Sequence, residues 1–585
     1  MTFVDELIPP RHDARRFAAA LIITGAVFIA AGHTLRQPAF MTANDISRWC
    51  TVWSLLERGT YAIDECPWQG DTQDKIQWPP RKAGETAQVE SKAVETAQAE
   101  SKTGETAQAE SKAGETAPAE GQPDGRHYYS SKPALISTLI AGMLYPARRI
   151  TGVPLDRVVL QERAERWTQK PDPDHPGRFK PVLERPKDPV KWPAYIFYFK
   201  PTLLLINVIP FGLFLVYFAR VLDRYARNDW AWLFSLFAAA FATYLLPYTQ
   251  TLNNHTIGAF AAFFALDQFL RIWDEGLDRG WRFAAAGFFA GFAASTELPA
   301  LAFPALLGAM LLVRHPKRTL LFFVPGLAIP LAAFVGAQYL EFGQFFLPYE
   351  SFGSDAYLWE GSIWQTPLEL DAFNKTPEPY WVYLWHMTFG HHGIFSLTPI
   401  YLLSVWGGMK LLSGGRWLTA LSILTFLVVA GLGGYFLYDP SAWLTGGRLH
   451  RYVWALAVIP ALLALLALVA GLPVLRRSAR PMSAVAWMTA VLTVVVLAFY
   501  AYTPKARNYG GSAQGLRWIM WLIPFWLLLL PSGVEAGQAR GRARRLALVA
   551  LAISAISVGY AIRNPWSHPW ILDAMEHLGI YRLSR

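Results

Sequence analysis

The stretch RFAAALIITGAVFIAAGHTL, residues 16–35, decides the fold. After Arg16 it holds no acidic residue, lysine or arginine, and crossing a bilayer core takes roughly 20 apolar residues. Arg15 and Arg16 stand before it as an anchor has them. No small-residue cleavage site clearly follows, so the segment reads as a retained anchor rather than a cleaved leader. Just beyond it comes Ala43-Asn44-Asp45-Ile46-Ser47-Arg48-Trp49. Ile46, Trp49, Trp53 and Leu56 recur at helical spacing, so a second helix opens here. A carboxylate placed just outside the membrane, at the mouth of a bundle, is a candidate catalytic base. The competing reading makes Asn44 or Asp45 the N-cap of that helix.

Apolar runs like the first recur along the whole chain. Of 585 residues, 53% are hydrophobic and only 16% charged. A soluble chain of this size carries about a quarter charged residues and splits into domains. The expectation is therefore an all-α integral membrane protein forming one embedded domain over residues 1–585. Roughly thirteen spans are expected, near 16–35, 196–219, 230–247, 255–273, 281–296, 298–313, 319–339, 393–411, 417–437, 452–474, 483–501, 515–532 and 546–562.

The net charge of +10 does not point to nucleic acid, because the cations are spread over short loops. They are Arg220, Arg224 and Arg227; Arg271, Arg279 and Arg282; Arg314, Lys317 and Arg318; Lys410 and Arg416; Arg476, Arg477 and Arg480; Arg540, Arg542, Arg544 and Arg545. The alternate turns near Asn253 and Glu297 have none. By the positive-inside rule the basic loops are cytoplasmic, as is the amino terminus, and the carboxyl terminus is extracytoplasmic. A plasma membrane, the inner membrane of a bacterium, is the expected location.

Residues 36–195 then form a large extracytoplasmic loop. Within it, 83–122 are four tandem decapeptides, AGETAQVESK, AVETAQAESK, TGETAQAESK and AGETAPAEGQ. They lack aromatics, cannot bury a core, and read as a disordered insertion. The flanks Asp74–Trp78 and Gly125–Tyr129 look like two strands that the insertion separates. Residues 133–145 are apolar but too short to span, and read as an interfacial helix on the outer surface. Residues 155–192, with prolines at 171, 173, 176, 181 and 186, read as surface coil. Cys50 and Cys66 both fall in this loop, where a bridge is allowed and left open.

Several polar residues stand where helices meet this face. Lys132, in Ser130-Ser131-Lys132-Pro133, is either a snorkelling lysine or the holder of a lipid-linked phosphate. Arg517, in the glycine-rich Asn508–Trp518 stretch, is either an interfacial anchor or a second cation of that kind. Asn254 and His255 lie between two spans. Glu297, in Thr296-Glu297-Leu298-Pro299, puts a carboxylate where two helices join, and ionisable groups at such depth are functional by default. His386, His391 and His392 lack metal-ligand spacing with a carboxylate, so no metal is expected. No P-loop or dinucleotide fingerprint occurs, and no cofactor is expected.

Four stretches together resemble the GT-C superfamily of membrane glycosyltransferases, which use lipid-phosphate sugars and include aminoarabinose and protein mannosyl transferases. They are Asn44–Arg48 with Leu56-Glu57-Arg58-Gly59-Thr60-Tyr61; His127–Pro133; Gly390-His391-His392-Gly393-Ile394-Phe395 with Pro399; and Tyr509-Gly510-Gly511 through Gly515-Leu516-Arg517-Trp518. The resemblance implies Asp45 as catalytic base; Glu297 is a second catalytic candidate from its depth at the helix junction. The resemblance also implies Lys132 and Arg517 on the donor phosphate; Asn254, His255, Tyr129 and Gly511, on the same outer face, are the candidate substrate contacts. Its partners would be a polyprenyl-phosphate sugar, membrane lipid, and an acceptor that is a glycan, lipid or protein. The chain departs from the family in three places: many relatives carry an acid where it has Asn254-His255, Lys-Pro-Pro where it has Lys132-Pro133-Ala134, and Gly-Pro-Arg where it has Gly515-Leu516-Arg517. Two other classes compete: a flippase for lipid-linked substrates, and an inactive scaffold of the same architecture.

Overall fold

A computed structural model of the chain describes residues 11–79, 125–161, 166–171, 179–184, 190–348, 355–359, 361–362, 380–412, 481–502, 509, 511 and 513–581. The decapeptides at 83–122 and the expected spans at 417–437 and 452–474 lie outside the described residues. The described part is predominantly helical. Among the described residues, seven helices are long and apolar enough to cross a membrane. They are α1 (Arg11–Arg36), α4 (Tyr195–Tyr225), α5 (Asp229–Tyr248), α9 (Pro316–Phe342), α12 (Pro481–Tyr502), α13 (Arg517–Gln538) and α14 (Gly541–Arg563). Between them pack α6 (His255–Trp273), α7 (Gly280–Thr296), α8 (Leu298–Arg314) and α11 (Ile400–Leu412). Helix α2 (Ala43–Glu57), α3 (Ala134–Thr151), α10 (Tyr380–Thr388) and α15 (Trp570–His577) complete the set.

Large apolar side chains face outward along the spans: Phe28 is 72% exposed, Leu321 67%, Leu340 70% and Leu546 70%. Water would oppose such a surface; lipid does not. With no hydrophobic drive between helices in lipid, close contact comes from small residues. A Cβ added at Gly287 would run into the backbone of Phe323, and one at Gly407 into that of Leu529. These contacts join α7 to α9 and α11 to α13.

Much of the basic cluster gathers at one end of the bundle through ion pairs. Arg15 meets Asp223 and Asp229, Arg224 meets Asp267 and Glu275, Arg318 meets Asp278, and Lys410 meets Glu535. Helices α2 and α3 and the 249–254 turn cap the other end. There the Lys200 ammonium, buried on α4, donates to the carbonyls of Thr34 (2.7 Å), Gln37 and Pro38 (3.3 Å), closing the frayed end of α1.

The two strands expected around the insertion form: Lys75–Trp78 (β1) pairs antiparallel with His127–Ser130 (β2). Residues 133–145 belong to a longer helix than expected, α3, with one face buried and Leu139, Met143, Tyr145 and Ile150 exposed. Residues 155–192 are not coil throughout. Val158–Gln161 (β3) pairs with Val190–Pro193 (β6), and Arg166–Pro171 (β4) with Phe179–Glu184 (β5). Prolines pointed away from strands, but in two-stranded ribbons every strand is an edge, where a proline leaves no central ladder bond unmade.

Candidate functional site

The site is built where α2 enters the bundle. Thr42, in extended conformation, caps α2 by accepting the Asn44 N–H at 2.8 Å. The N-cap is therefore Thr42, and neither Asn44 nor Asp45. Asp45 sits in the first turn and reaches back, one oxygen accepting the Met41 N–H at 2.9 Å, in the manner of a capping box. Its other oxygen accepts the Leu252 N–H at 2.8 Å, in the turn between α5 and α6. The carboxylate is wholly buried. Burial pushes its pKa up to about 7, against the opposing pull of the Met41 and Leu252 amides, Arg48 and the Thr42 amide. Each oxygen keeps a second lone pair for a proton.

Arg48, one turn along α2, extends the network. It donates to Asn254 Oδ1 at 2.7 Å and to the Leu252 carbonyl at 3.4 Å. Asn254 in turn donates to Glu297 Oε1 at 2.8 Å and to the Thr296 carbonyl at 2.9 Å. The amide is oriented by the cation on one side and the carboxylate on the other. Glu297 also meets His255 Nδ1 at 2.5 Å. Gly258, one turn into α6, is required here: a Cβ would approach Glu297 Cγ to 2.9 Å. Asp45, the Asn254-His255 pair and Glu297, from three separate stretches of sequence, thus share one buried polar chain.

Lys132 comes in from the β2–α3 turn. Its ammonium lies 3.0 Å from Asp74. Burial lowers its pKa to about 8; Asp74 opposes this, while Arg48 and Arg517 add repulsion. Its backbone N–H bonds the Ser130 hydroxyl at 3.1 Å, Ser130 meets Ser47 of α2 at 2.6 Å, and Ser137 of α3 donates to the Arg48 carbonyl at 3.1 Å. Hydroxyls therefore pin the lysine turn onto α2.

Arg517 opens α13 as the first residue of a 3-10 turn. Its guanidinium lies over Trp566 at 5.3 Å and Trp518 at 5.9 Å, and its buried Nε has no hydrogen-bond partner among the described residues. Trp566 packs edge-on against Tyr248 at 5.2 Å and near His255 at 6.2 Å, joining Arg517 to the His255–Glu297 pair. Gly511 has φ +74°, and a Cβ there would sit 3.8 Å from Arg517 Nη2. Arg48 and Arg517 thus both lie close enough to repel Lys132, with carboxylates at Asp45, Asp74 and Glu297 nearby.

Tyr129 stays outside this chain of contacts and packs on Phe342 at 5.3 Å. His386 and His391 stack at 3.9 Å, His391 Nδ1 lies 2.5 Å from His392 Nδ1, and His392 stacks on Tyr509 at 4.7 Å. Arg48, Asp74 and Trp566 were not singled out from sequence. Arg48 carried a usable signal, one helical turn beyond Asp45. Asp74 and Trp566 carried none, since only folding brings them near Lys132 and Arg517.

The fold and this site define a multi-pass helical membrane protein with a buried, charged centre at one end of its bundle. Compared with family models, curated proteins and solved structures, the chain matches none.

Proposed function

We propose that the protein is a membrane glycosyltransferase that moves a sugar from a polyprenyl-phosphate donor to an acceptor on the extracytoplasmic face. The observation that carries the reading is a buried carboxylate poised near neutrality, Asp45, beside Arg48, which together with Arg517 lies in range of the buried Lys132. A polyprenyl-phosphate sugar keeps its lipid in the bilayer. Lys132, Arg517 and Arg48 hold its phosphate, which leaves with the bonding pair as the anomeric bond breaks. Cations that tighten as that charge develops lower the barrier. Asp45 takes the proton of the attacking acceptor hydroxyl or amine, for which a base titrating near the working pH is suited. Direct displacement inverts the anomeric centre. Glu297, paired with His255, fixes Asn254 and through it Arg48.

Transport of a lipid-linked substrate is the second reading, supported by the buried charges alone. Purified protein incubated with a panel of polyprenyl-phosphate sugars and candidate acceptors separates the two. Release of polyprenyl phosphate with sugar appearing on an acceptor is expected. Translocation in vesicles without cleavage of any donor would replace this reading with the transport one.

A further inference from the structure

Glu341, at the end of α9, is 4% exposed, and neither carboxylate oxygen has a hydrogen-bond partner among the described residues. An ionised carboxylate does not stay buried and unpaired without large cost; it takes a proton or a ligand donor. Its surroundings favour a ligand of one kind. Tyr129 feels its charge: burial first, then Asp64 and Glu341, push the phenol up. The neighbouring Phe342 packs against Tyr129 at 5.3 Å and Trp78 at 5.7 Å, and Trp78 stacks on Phe346 at 4.4 Å. Trp78, Tyr129 and Phe346 are only half-buried. One turn before Glu341, Gln338 accepts the Ala134 N–H at 2.9 Å and donates to the Phe346 carbonyl at 2.8 Å. That bond ties this end of α9 to the Lys132-Pro133-Ala134 turn. A buried carboxyl whose two oxygens have no hydrogen-bond partner among the described residues, beside partly open aromatic faces and tethered to a phosphate-binding turn, suits a hydroxyl-bearing ring attached to that phosphate.

We propose that Glu341, with the aromatic faces of Trp78 and Tyr129, binds the sugar ring of the lipid-phosphate donor through its hydroxyls. This rests on the donor reading above and adds where the sugar lies. Glu341 binds and selects the sugar; it takes no proton in the transfer.

The test compares binding of undecaprenyl phosphate with binding of its glucose, mannose, galactose and aminopentose conjugates, in detergent-purified full-length protein. The wild-type protein is expected to bind at least one conjugate more tightly than the bare phosphate. Glu341→Gln keeps the shape but weakens the acceptor; it should loosen that conjugate by roughly tenfold or more and leave the bare phosphate unchanged. Trp78→Ala should give the same pattern, and covers the case in which the Glu341 variant fails to fold. Equal loss for both lipids, or loss for neither, overturns the inference and leaves the donor reading standing. A wild-type protein that binds neither lipid overturns both.

Discussion

Asp45→Asn separates chemistry from architecture. The wild-type carboxyl, ordinarily at 3.8, sits at about 7 because burial outweighs its amide bonds. That gap corresponds to about 4 kcal/mol. The sign follows from a raised acid: the stability is fully present below the unfolded value and is lost as pH rises through the folded one. Wild-type protein should therefore lose up to about 4 kcal/mol between pH 4 and 8, at about 1.4 kcal/mol per pH unit in mid-range. Asparagine does not titrate, so the variant should lack this slope. It also offers one carbonyl and one amide to two backbone N–H groups, those of Met41 and Leu252. One bond is lost, at a cost of roughly 1–3 kcal/mol. In turnover, a base with a pKa near 7 gives a rate that rises tenfold per pH unit below about pH 7 and then levels. The variant should lose that limb and fall by roughly a hundredfold or more, with donor binding largely kept. Polyprenyl-phosphate release from pH 5 to 9, beside thermal unfolding over the same range, reads both effects. If Asp45→Asn keeps near-normal turnover, or keeps the acidic limb, Asp45 is not the base and Glu297 becomes the candidate.

Lys132→Ala should weaken donor binding more than it slows bound donor, because its contact exists in the ground state. With the lysine at about 8, wild-type affinity should also fall above that pH, and Lys132→Arg should not show the fall. Deleting residues 83–122 should leave insertion and donor cleavage nearly intact, since lengthening or shortening a disordered loop costs little; a well-inserted but inactive deletion would refute this. A cysteine placed at Ala97 should react with an impermeant maleimide in intact cells. The native Cys50 and Cys66 are buried, so the signal reports Ala97 alone, and labelling only after permeabilisation would reverse the orientation.

The membrane class was written in one dimension. A span is fixed by its own run of apolar residues, because backbone groups in lipid must be satisfied within the helix. So 16–35 could be read without knowing any neighbour, and the flanks of the insertion could be taken for the two strands that it separates. The same local logic failed at 155–192, where prolines hid ribbons whose pairing is not local. It also misplaced the cap of α2, since Thr42 and Asp45 share the work of one helix end. For the site, sequence supplied the residue types and which end of the bundle they stand near. It did not supply the bonds. Asp45 meets Leu252, Arg48 meets Asn254, and Arg517 meets Trp566 only because α2, the 249–254 turn and the segment after α14 converge on one end of the bundle. Glu341 carried no signal in the sequence that set it apart. That it lies buried and without a hydrogen-bond partner among the described residues is decided by the packing of α9 against β1, β2 and the Lys132 turn, and burial sets the cost of a charge.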